Sequence, residues 1–276
     1  MASENGTKSG AGPIGTVGQL TIGRLSNIGA MWYLLVDATR WLLRACFTRD
    51  VRLGHTAIVS QMVRIGVQSI FIVSLVSGAI GFILALQMAP PLESFGSVEL
   101  VPNIVGVAVF RELGPLIAAI VLTGFAGAAI AAEIGTMVVG EEIEALEAHA
   151  LNPIRFLVVP RMLAATVSMV CLAVISDVVA VLSSALISKL ALGITWSTYY
   201  ENLTTQVDPV DFLTGLMKAA VFGMLIGLIA CGNGLRVTGG AAGVGRATTA
   251  TVVQSIVAVI IADLIFTAIF YATGLV

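Results

Sequence analysis

The chain has 276 residues, of which 58% are hydrophobic and only 11% are charged, and its formal net charge is −2. Its mean hydropathy is +1.01, whereas a soluble domain carries about 25% charged residues, so the composition excludes an ordinary soluble protein and indicates one that crosses a membrane several times. Three scattered cysteines and two histidines form no CxxC pair and no clustered ligand set, which argues against a disulfide framework or a zinc site.

The first 52 residues divide into two regions. Residues 1–19 lack the basic start and the apolar stretch of a secretory signal, so we expect a flexible cytoplasmic tail there. Residues 20–52 mix tryptophans and aliphatic side chains with charges that include Arg40 and Arg44, which share one helix face. This pattern predicts an amphipathic helix that lies on the membrane, with its tryptophans at headgroup depth. A first spanning helix is the alternative, which the charges disfavour.

The membrane-spanning part follows from residue 53 onward. A bilayer core about 30 Å thick needs roughly 20 apolar residues in a helix. Five regions meet this requirement: residues 63–88, 104–132, 156–192, 212–231 and 252–276. We therefore predict an all-α integral membrane protein with an N-terminal interfacial helix and five transmembrane helices. Pro90 and Pro91 are expected to break the first of these helices near its end.

Basic residues are distributed unequally between the predicted connections. Those at 89–110 and 190–217 contain no Lys or Arg, whereas the N-terminal region and the connections at 133–161 and 232–250 do. Since basic connections stay in the cytoplasm, we predict that the N-terminus and these last two connections are cytoplasmic and that the C-terminus is external.

The connection between the second and third predicted spans is acidic. Glu133 precedes four further glutamates within residues 141–147. Apolar residues recur at helical spacing in the same segment: Val139, Ile143, Leu146 and Ala150. We predict a short amphipathic helix over 136–149, ended by Asn152-Pro153. Such a helix is poorly placed for an anionic lipid leaflet and suits docking onto a protein with a basic groove, with a solvated surface helix as the alternative.

Charged residues also fall inside the predicted spans, where they are costly and face a partner or a cavity. Arg111 and Glu112 lie well within the second span, and either a structural pairing or a place on a lipid pathway fits them. Lys218, near the outer end of its helix, is expected to be a snorkelling anchor. Asp177 and Asp263 are expected to bond to neighbouring helices, with a proton relay as the alternative.

Residues 240–248, GAAGVGRAT, have the glycine spacing of a phosphate-binding loop. Arg246 and Ala247 replace the Lys and the Ser or Thr that hold phosphates and magnesium. We therefore interpret the segment as a flexible turn that leads into the fifth span. No hydrolytic motif occurs elsewhere in the sequence, so the chain itself is not predicted to be an enzyme.

Several segments together resemble the MlaE/YrbE family of ABC-transporter permeases. They occur in the order found in that family and cover roughly residues 53–276, which we expect to form the permease domain. The segments are RELGP (111–115), AGAAIAAEIG (126–135), EEIEAL (141–146), NPIRFLVVPR (152–161), KAAVFG (218–223) and GVGRATTATVV (243–253).

This resemblance implies the membrane subunit of an ATP-driven transporter of phospholipids or related hydrophobic molecules. The implied partners are a second permease copy in a homodimer, cytoplasmic ABC ATPase subunits, an MCE-domain protein and membrane lipids, with no nucleic acid. ATP and magnesium would bind to the ATPase, and no cofactor would bind to this chain. The implied location is the inner (cytoplasmic) membrane, or the chloroplast inner envelope if the source is a plastid.

The resemblance also implies two sets of functional residues. The 136–149 segment would seat in the ATPase as a coupling helix. The residues assigned to a lipid cavity between two permease copies are Leu84, Gln87, Phe95, Arg111 and Glu112. The residues assigned to ATPase coupling are Glu133, Thr136, Met137, Glu141, Glu142, Glu144 and Leu146.

Two other functions are compatible with the residues alone. An ion-coupled secondary transporter would use Asp177, Asp263 and Glu112 as a relay. A membrane scaffold that transports nothing would need none of these groups. Co-purification with an ATPase separates the transporter driven by ATP from both alternatives.

The predicted orientation can be tested by labelling with an impermeant thiol reagent, in a background without native cysteines. A cysteine at Ser97 or Thr204 should react from outside, and a cysteine at Ala148 should not, because the basic connections hold that side in the cytoplasm. Reversed labelling would overturn the orientation.

Overall fold

The computed structural model describes residue 29, residues 31–41 and residues 55–274. The predicted tail at 1–19 lies outside these ranges, as does most of the predicted interfacial region. Helix α1, residues 31–41, is the described part of that region. It packs on the bundle through buried Ala38 and through Leu34 and Trp41.

Five helical spans are long and apolar enough to cross a membrane, which confirms the predicted number within the described residues. They comprise Thr56–Ser94, Val98–Val139, Ile154–Leu192, Pro209–Gly234 and Gly240–Thr273, called spans 1 to 5 below. Each begins before or ends beyond its predicted apolar region, because the helices continue into polar residues. No strand occurs in the described ranges, so the all-α fold class is confirmed.

Spans 1, 2 and 3 contain short 3-10 or π-helical turns, whereas spans 4 and 5 are each a single α-helix. Span 1 contains α2, a 3-10 turn and α3: His55–Ile65, Val67–Ser69 and Ile70–Ser94. After a 3-10 turn at Val98–Leu100, span 2 contains α4, α5 and α6: Val101–Ala108, Gly114–Leu122 and Ala128–Val139. Two π-helical turns separate them: Val109–Leu113 and Thr123–Gly127. Span 3 begins with a π-helical turn and continues as α8: Ile154–Val158 and Val159–Leu192. Spans 4 and 5 are α10 and α11: Pro209–Gly234 and Gly240–Thr273.

Two short helices lie between spans and mark the two ends of the bundle. Helix α7, Glu142–Ala148, connects spans 2 and 3, and helix α9, Trp196–Gln206, connects spans 3 and 4. Since the spans alternate in direction, α7 and α9 lie at opposite ends, which we call the α7 end and the α9 end. The side-chain oxygen of Thr195 accepts from the backbone N–H of Thr198, which caps α9.

The predicted break at Pro90-Pro91 is wrong, because α3 continues through both prolines to Ser94. Proline has a helix-compatible φ, so the two residues cost α3 the hydrogen bonds of their missing N–H groups without ending the helix. Two residues after the helix ends, Gly96 turns the chain with a φ of 65°, which suits glycine.

The predicted short helix between spans 2 and 3 is present as α7, but its predicted bounds, 136–149, are wrong. Helix α6 ends at Val139, and Glu141 adopts a left-handed conformation with a φ of 59° before α7 begins. The apolar stripe therefore spans two helices rather than one. Asn152 does not end a helix but begins span 3, because its side-chain oxygen accepts from the backbone N–H groups of Ile154 and Arg155 at 2.9 and 3.3 Å.

The expected flexible turn at 240–248 is helical from its first residue. Gly239, with a φ of 84°, makes the preceding turn, and α11 starts directly after it at Gly240, whose φ is 66°.

Span 3 is central to the packing, since α8 packs against α3, α5 and α10. Glycine permits the closest approaches: a Cβ on Gly81 of α3 would overlap the backbone of Ala180 in α8. Span 5 lies at the edge of the bundle, because only 11% of its apolar window is buried, compared with 56% for spans 2 and 4. Helix α3 packs mainly on α8, whereas α11 packs mainly on α10 and α6, and both also contact α5.

Candidate functional site

The ammonium group of Lys218 is the centre of a polar network inside the bundle. Its Nζ lies 2.5 Å from Oε2 of Glu112 and 3.0 Å from Oδ1 of Asp263. It also donates to the Thr267 hydroxyl at 3.0 Å, and that hydroxyl donates to Oε1 of Glu112 at 2.9 Å. The network joins the π-helical turn of span 2 to α10 and α11.

Lys218 was expected to be a snorkelling anchor, and this expectation is wrong. Its side chain is only 1% exposed, and its Nζ lies 5.9 Å from the centre of the Phe270 ring. Acidic partners hold the ammonium in the interior, since a buried charge must be paired. Two carboxylates surround one ammonium, so the network carries an excess acidic group. Glu112 is the most exposed of its three charged side chains at 34%.

Arg111 and Glu112 do not pair with each other. Nε of Arg111 lies 2.5 Å from Oδ1 of Asp211, whose side chain is 2% exposed. The other oxygen of Asp211 accepts from the backbone N–H of Asp208 at 3.0 Å, which completes a capping box at the start of α10. Arg111 and Glu112 therefore each hold the π-helical turn of span 2 against α10, through separate partners.

Asp177 lies apart from this network. It is 1% exposed, it faces Gly114 across the α5–α8 contact, and its Oδ1 has no hydrogen-bond partner among the described residues. Of the three residues that would form a relay in an ion-coupled transporter, the structure thus brings together Glu112 and Asp263. No hydrogen bond or ion pair between described residues connects Asp177 to either.

The residues assigned to lipid binding form two groups. Leu84 packs among residues of α3, α4, α8 and α9, while Gln87 and Phe95 are exposed on α3. Arg111 and Glu112 face α10 and α11 instead. None of the five lines the large apolar groove of about 1340 Å³ that follows α11 past α10 and Met31 of α1.

The residues assigned to ATPase coupling are also divided. Glu141, Glu142 and Glu144 are exposed at the α6–α7 turn, and Leu146 is half-buried. Exposed Thr136 and half-buried Met137 lie in the last turns of α6. Glu133 lies deeper in α6 and pairs within the chain, as described below.

Glu133 binds two arginines that the sequence reasoning treated only as indicators of orientation. Its oxygens accept from Nη1 of Arg64 at 2.9 Å and from Nη2 of Arg161 at 2.8 Å. Arg161, inside an otherwise apolar run after Pro160, was the available signal, because a basic residue in such a position requires a buried acidic partner.

The fold and these clusters define a multi-pass α-helical membrane protein whose spans are joined by internal ion pairs. The chain matches the family of the permease MlaE over residues 58–269 and belongs to that family. It is therefore a permease, a transport subunit rather than an enzyme.

Named relatives cover most of the chain. A probable ABC transporter permease protein of Rickettsia bellii is 34% identical over 256 residues, covering 93% of this chain and 96% of the relative. The intermembrane phospholipid transport system permease protein MlaE of Haemophilus influenzae is 31% identical over 256 residues, covering 90% and 98%. The chloroplastic protein TRIGALACTOSYLDIACYLGLYCEROL 1 of Arabidopsis thaliana is 33% identical over 213 residues, covering 77% of this chain and 61% of the relative.

The Lys218 network predicts a large effect of a single substitution. Lys218→Met should destabilise the purified protein by about 3–5 kcal/mol, because it leaves two carboxylates without their buried partner. Lys189→Met is the matched control: Lys189 is exposed and lies 5.2 Å from the Trp196 ring centre, so its loss should cost about 0.5–1 kcal/mol. Thermal unfolding in detergent measures both, and equal effects would contradict a structural role for the network.

Proposed function

We propose that the chain is the permease subunit of an ATP-driven ABC transporter that moves phospholipids or related hydrophobic molecules between membranes. The family match through all five spans is the observation that carries this proposal. The printed names of relatives support it, since one is a phospholipid transport permease and another an ABC transporter permease. ATP and magnesium bind to separate ATPase subunits.

Helix α7 is the proposed contact with the ATPase. The left-handed turn at Glu141 directs the chain into α7, and three glutamates of this region are exposed: Glu141, Glu142 and Glu144. No ion pair between described residues involves them, so their charges are available to a basic surface. Ile143 and Leu146 are half-buried beside α6, which fits a helix held firmly enough to transmit force.

The transported lipid is proposed to bind between two permease copies. Within one chain, the α3 residues and the Arg111–Glu112 group face different helices, and a second copy is proposed to complete the cavity. The exposed apolar face of α11 and its groove support association with a second copy. The cavity opens toward an MCE-domain protein at the α9 end.

The distribution of charge supports a location in the inner membrane with the α7 end in the cytoplasm. Five described arginines lie at the α7 end: Arg64, Arg155, Arg161, Arg236 and Arg246. The α9 connection carries Glu201 and Asp208 and no basic residue. This asymmetry supports a cytoplasmic N-terminus.

An ion-coupled secondary transporter is a second candidate, which the Glu112–Lys218–Asp263 network favours. Transport that persists without an ATPase and stops when ion gradients are collapsed would select it. Transport that requires ATP and survives such a collapse selects the ABC transporter.

The exposed glutamates at the start of α7 predict a loss of ATPase binding when their charge is reversed. Glu141→Lys combined with Glu144→Lys should reduce recovery of the ATPase in a pull-down at least about tenfold, since each contact contributes about 1–3 kcal/mol if partly desolvated. Membrane insertion should be unchanged. Glu201→Lys, an exposed reversal at the α9 end, is the control and should leave recovery unaltered. Unchanged recovery with the double variant would contradict the contact and would identify α7 as a solvated surface helix.

The proposed lipid path predicts nucleotide-sensitive capture of lipid. Photo-crosslinkers at Leu84, Gln87 and Phe95 should capture co-purified phospholipid in the assembled complex, and ATP turnover should change the captured amount. A crosslinker at Leu182, 60% exposed on α8, reports the surrounding bilayer and should be insensitive to ATP. Failure to capture lipid at all three positions, in a complex with proven activity, would sink the assignment.

A further inference from the structure

Glu133 joins three spans near the α7 end of the bundle. From α6, its Oε1 accepts from Arg161 of α8 and its Oε2 accepts from Arg64 of α2. Thr136, one turn further along, donates its hydroxyl to the Glu133 carbonyl at 2.8 Å. One carboxylate therefore ties the helix that leads into the α6–α7 turn to both span 1 and span 3.

The two ion pairs of Glu133 differ in their burial. The Arg161 side chain is 7% exposed, and its Nη1 also donates to the Leu157 carbonyl at 3.0 Å. The Arg64 side chain is 53% exposed. Separating the buried pair would leave an arginine in the interior without its counter-charge, whereas water readily replaces an exposed partner. The contact to Arg161 is thus fixed, and the contact to Arg64 is releasable.

Helix α2 packs along α8 and faces α6 across a gap. A cavity of about 180 Å³ lies between them, and Arg64 and Glu133 form part of its wall. The 3-10 turn Val67–Ser69 separates α2 from α3, and a short 3-10 stretch within a long helical span often marks a hinge. Next to this turn, Gly66 lies against Ser168 of α8, where a Cβ would overlap the serine side chain. The turn is therefore held to α8. On the side of α2 that faces the cavity, the Arg64–Glu133 pair connects α2 to α6.

We propose that Glu133 is a joint that couples the α6–α7 turn to α2, with Arg161 as its fixed side and Arg64 as its releasable side. A displacement of α7 then reaches span 1 through the Arg64–Glu133 pair. The inference rests on the proposed function, in which an ATPase acts on α7. It makes Glu133 a positioning residue within the permease rather than a contact for the ATPase.

The position of α2 can be measured on the permease alone, without any transport assay. Spin labels on cysteines at Val59 of α2 and Val139 of α6, both exposed, report the distance between the two helices in a background without native cysteines. Arg64→Gln should raise the displaced population of α2 about two- to fivefold, the effect of an exposed ion pair of about 0.5–1 kcal/mol. Arg64→Lys keeps the charge and should retain the distance distribution of the unmodified chain.

Arg40→Gln is the matched control, because it removes the same charge from an exposed ion pair with Asp37 that joins no two helices. It should leave the α2–α6 distance unchanged. If Arg64→Gln gives the same distances as the parent chain, or if Arg40→Gln shifts them equally, the joint is refuted.

The complete complex supplies the functional readout. Arg64→Gln should lower the amount of lipid moved per ATP hydrolysed, while ATPase recovery and ATP hydrolysis stay unchanged, and Arg64→Lys should restore the ratio. An unchanged ratio in an active complex refutes the joint. A parent complex that hydrolyses ATP without moving lipid contradicts the proposed function instead, and the spin-label distances then decide the joint by themselves.

Discussion

The packing of the bundle depends on two acidic side chains of span 2. Glu112 and Glu133 lie 21 residues apart in the sequence, which is roughly 30 Å along a helix at 1.5 Å per residue and close to the thickness of a bilayer core. Glu112 holds Lys218 of span 4 and Thr267 of span 5. Glu133 holds arginines of spans 1 and 3. Every other span is therefore tied to span 2 by a charged or hydrogen-bonded contact at one of two levels.

Such contacts are needed because apolar packing alone does little to select helix neighbours within lipid, where the surroundings are as apolar as the side chains. A buried cation, by contrast, is stable only beside its acidic partner. Close approaches at glycine then complete the interfaces, as at Gly81 against Ala180. The ion pairs decide which helices meet, and the small residues decide how closely they approach.

The number of spans and the fold class followed from the sequence, because hydropathy over about 20 residues depends only on composition. The family also followed, since its segments lie in order along the chain. The partners of Lys218 and Glu133 did not follow, because contacts over 106 and 28 residues depend on how the helices pack. The wrong helix boundaries have local causes: prolines tolerated in the last turns of α3, and a non-glycine residue, Glu141, in a left-handed conformation.

The π-helical turns change the direction in which side chains point along span 2. The turns at Val109–Leu113 and Thr123–Gly127 close hydrogen bonds over five residues instead of four, so each one rotates the side chains that follow relative to a regular helix. A count at 100° per residue from Glu112 therefore does not give the direction of Glu133. The first turn lies directly before Pro115, which lacks the N–H that a regular helix requires, so the sequence does contain the cause.

With the rotation in place, one helix presents a carboxylate to spans 4 and 5 at one level and to spans 1 and 3 at the other. The contacts of Glu112 surround a buried ammonium, whereas the contacts of Glu133 include an arginine that is half exposed. The two levels of span 2 thus differ in how easily they release a partner, and the more easily released contact lies toward α7.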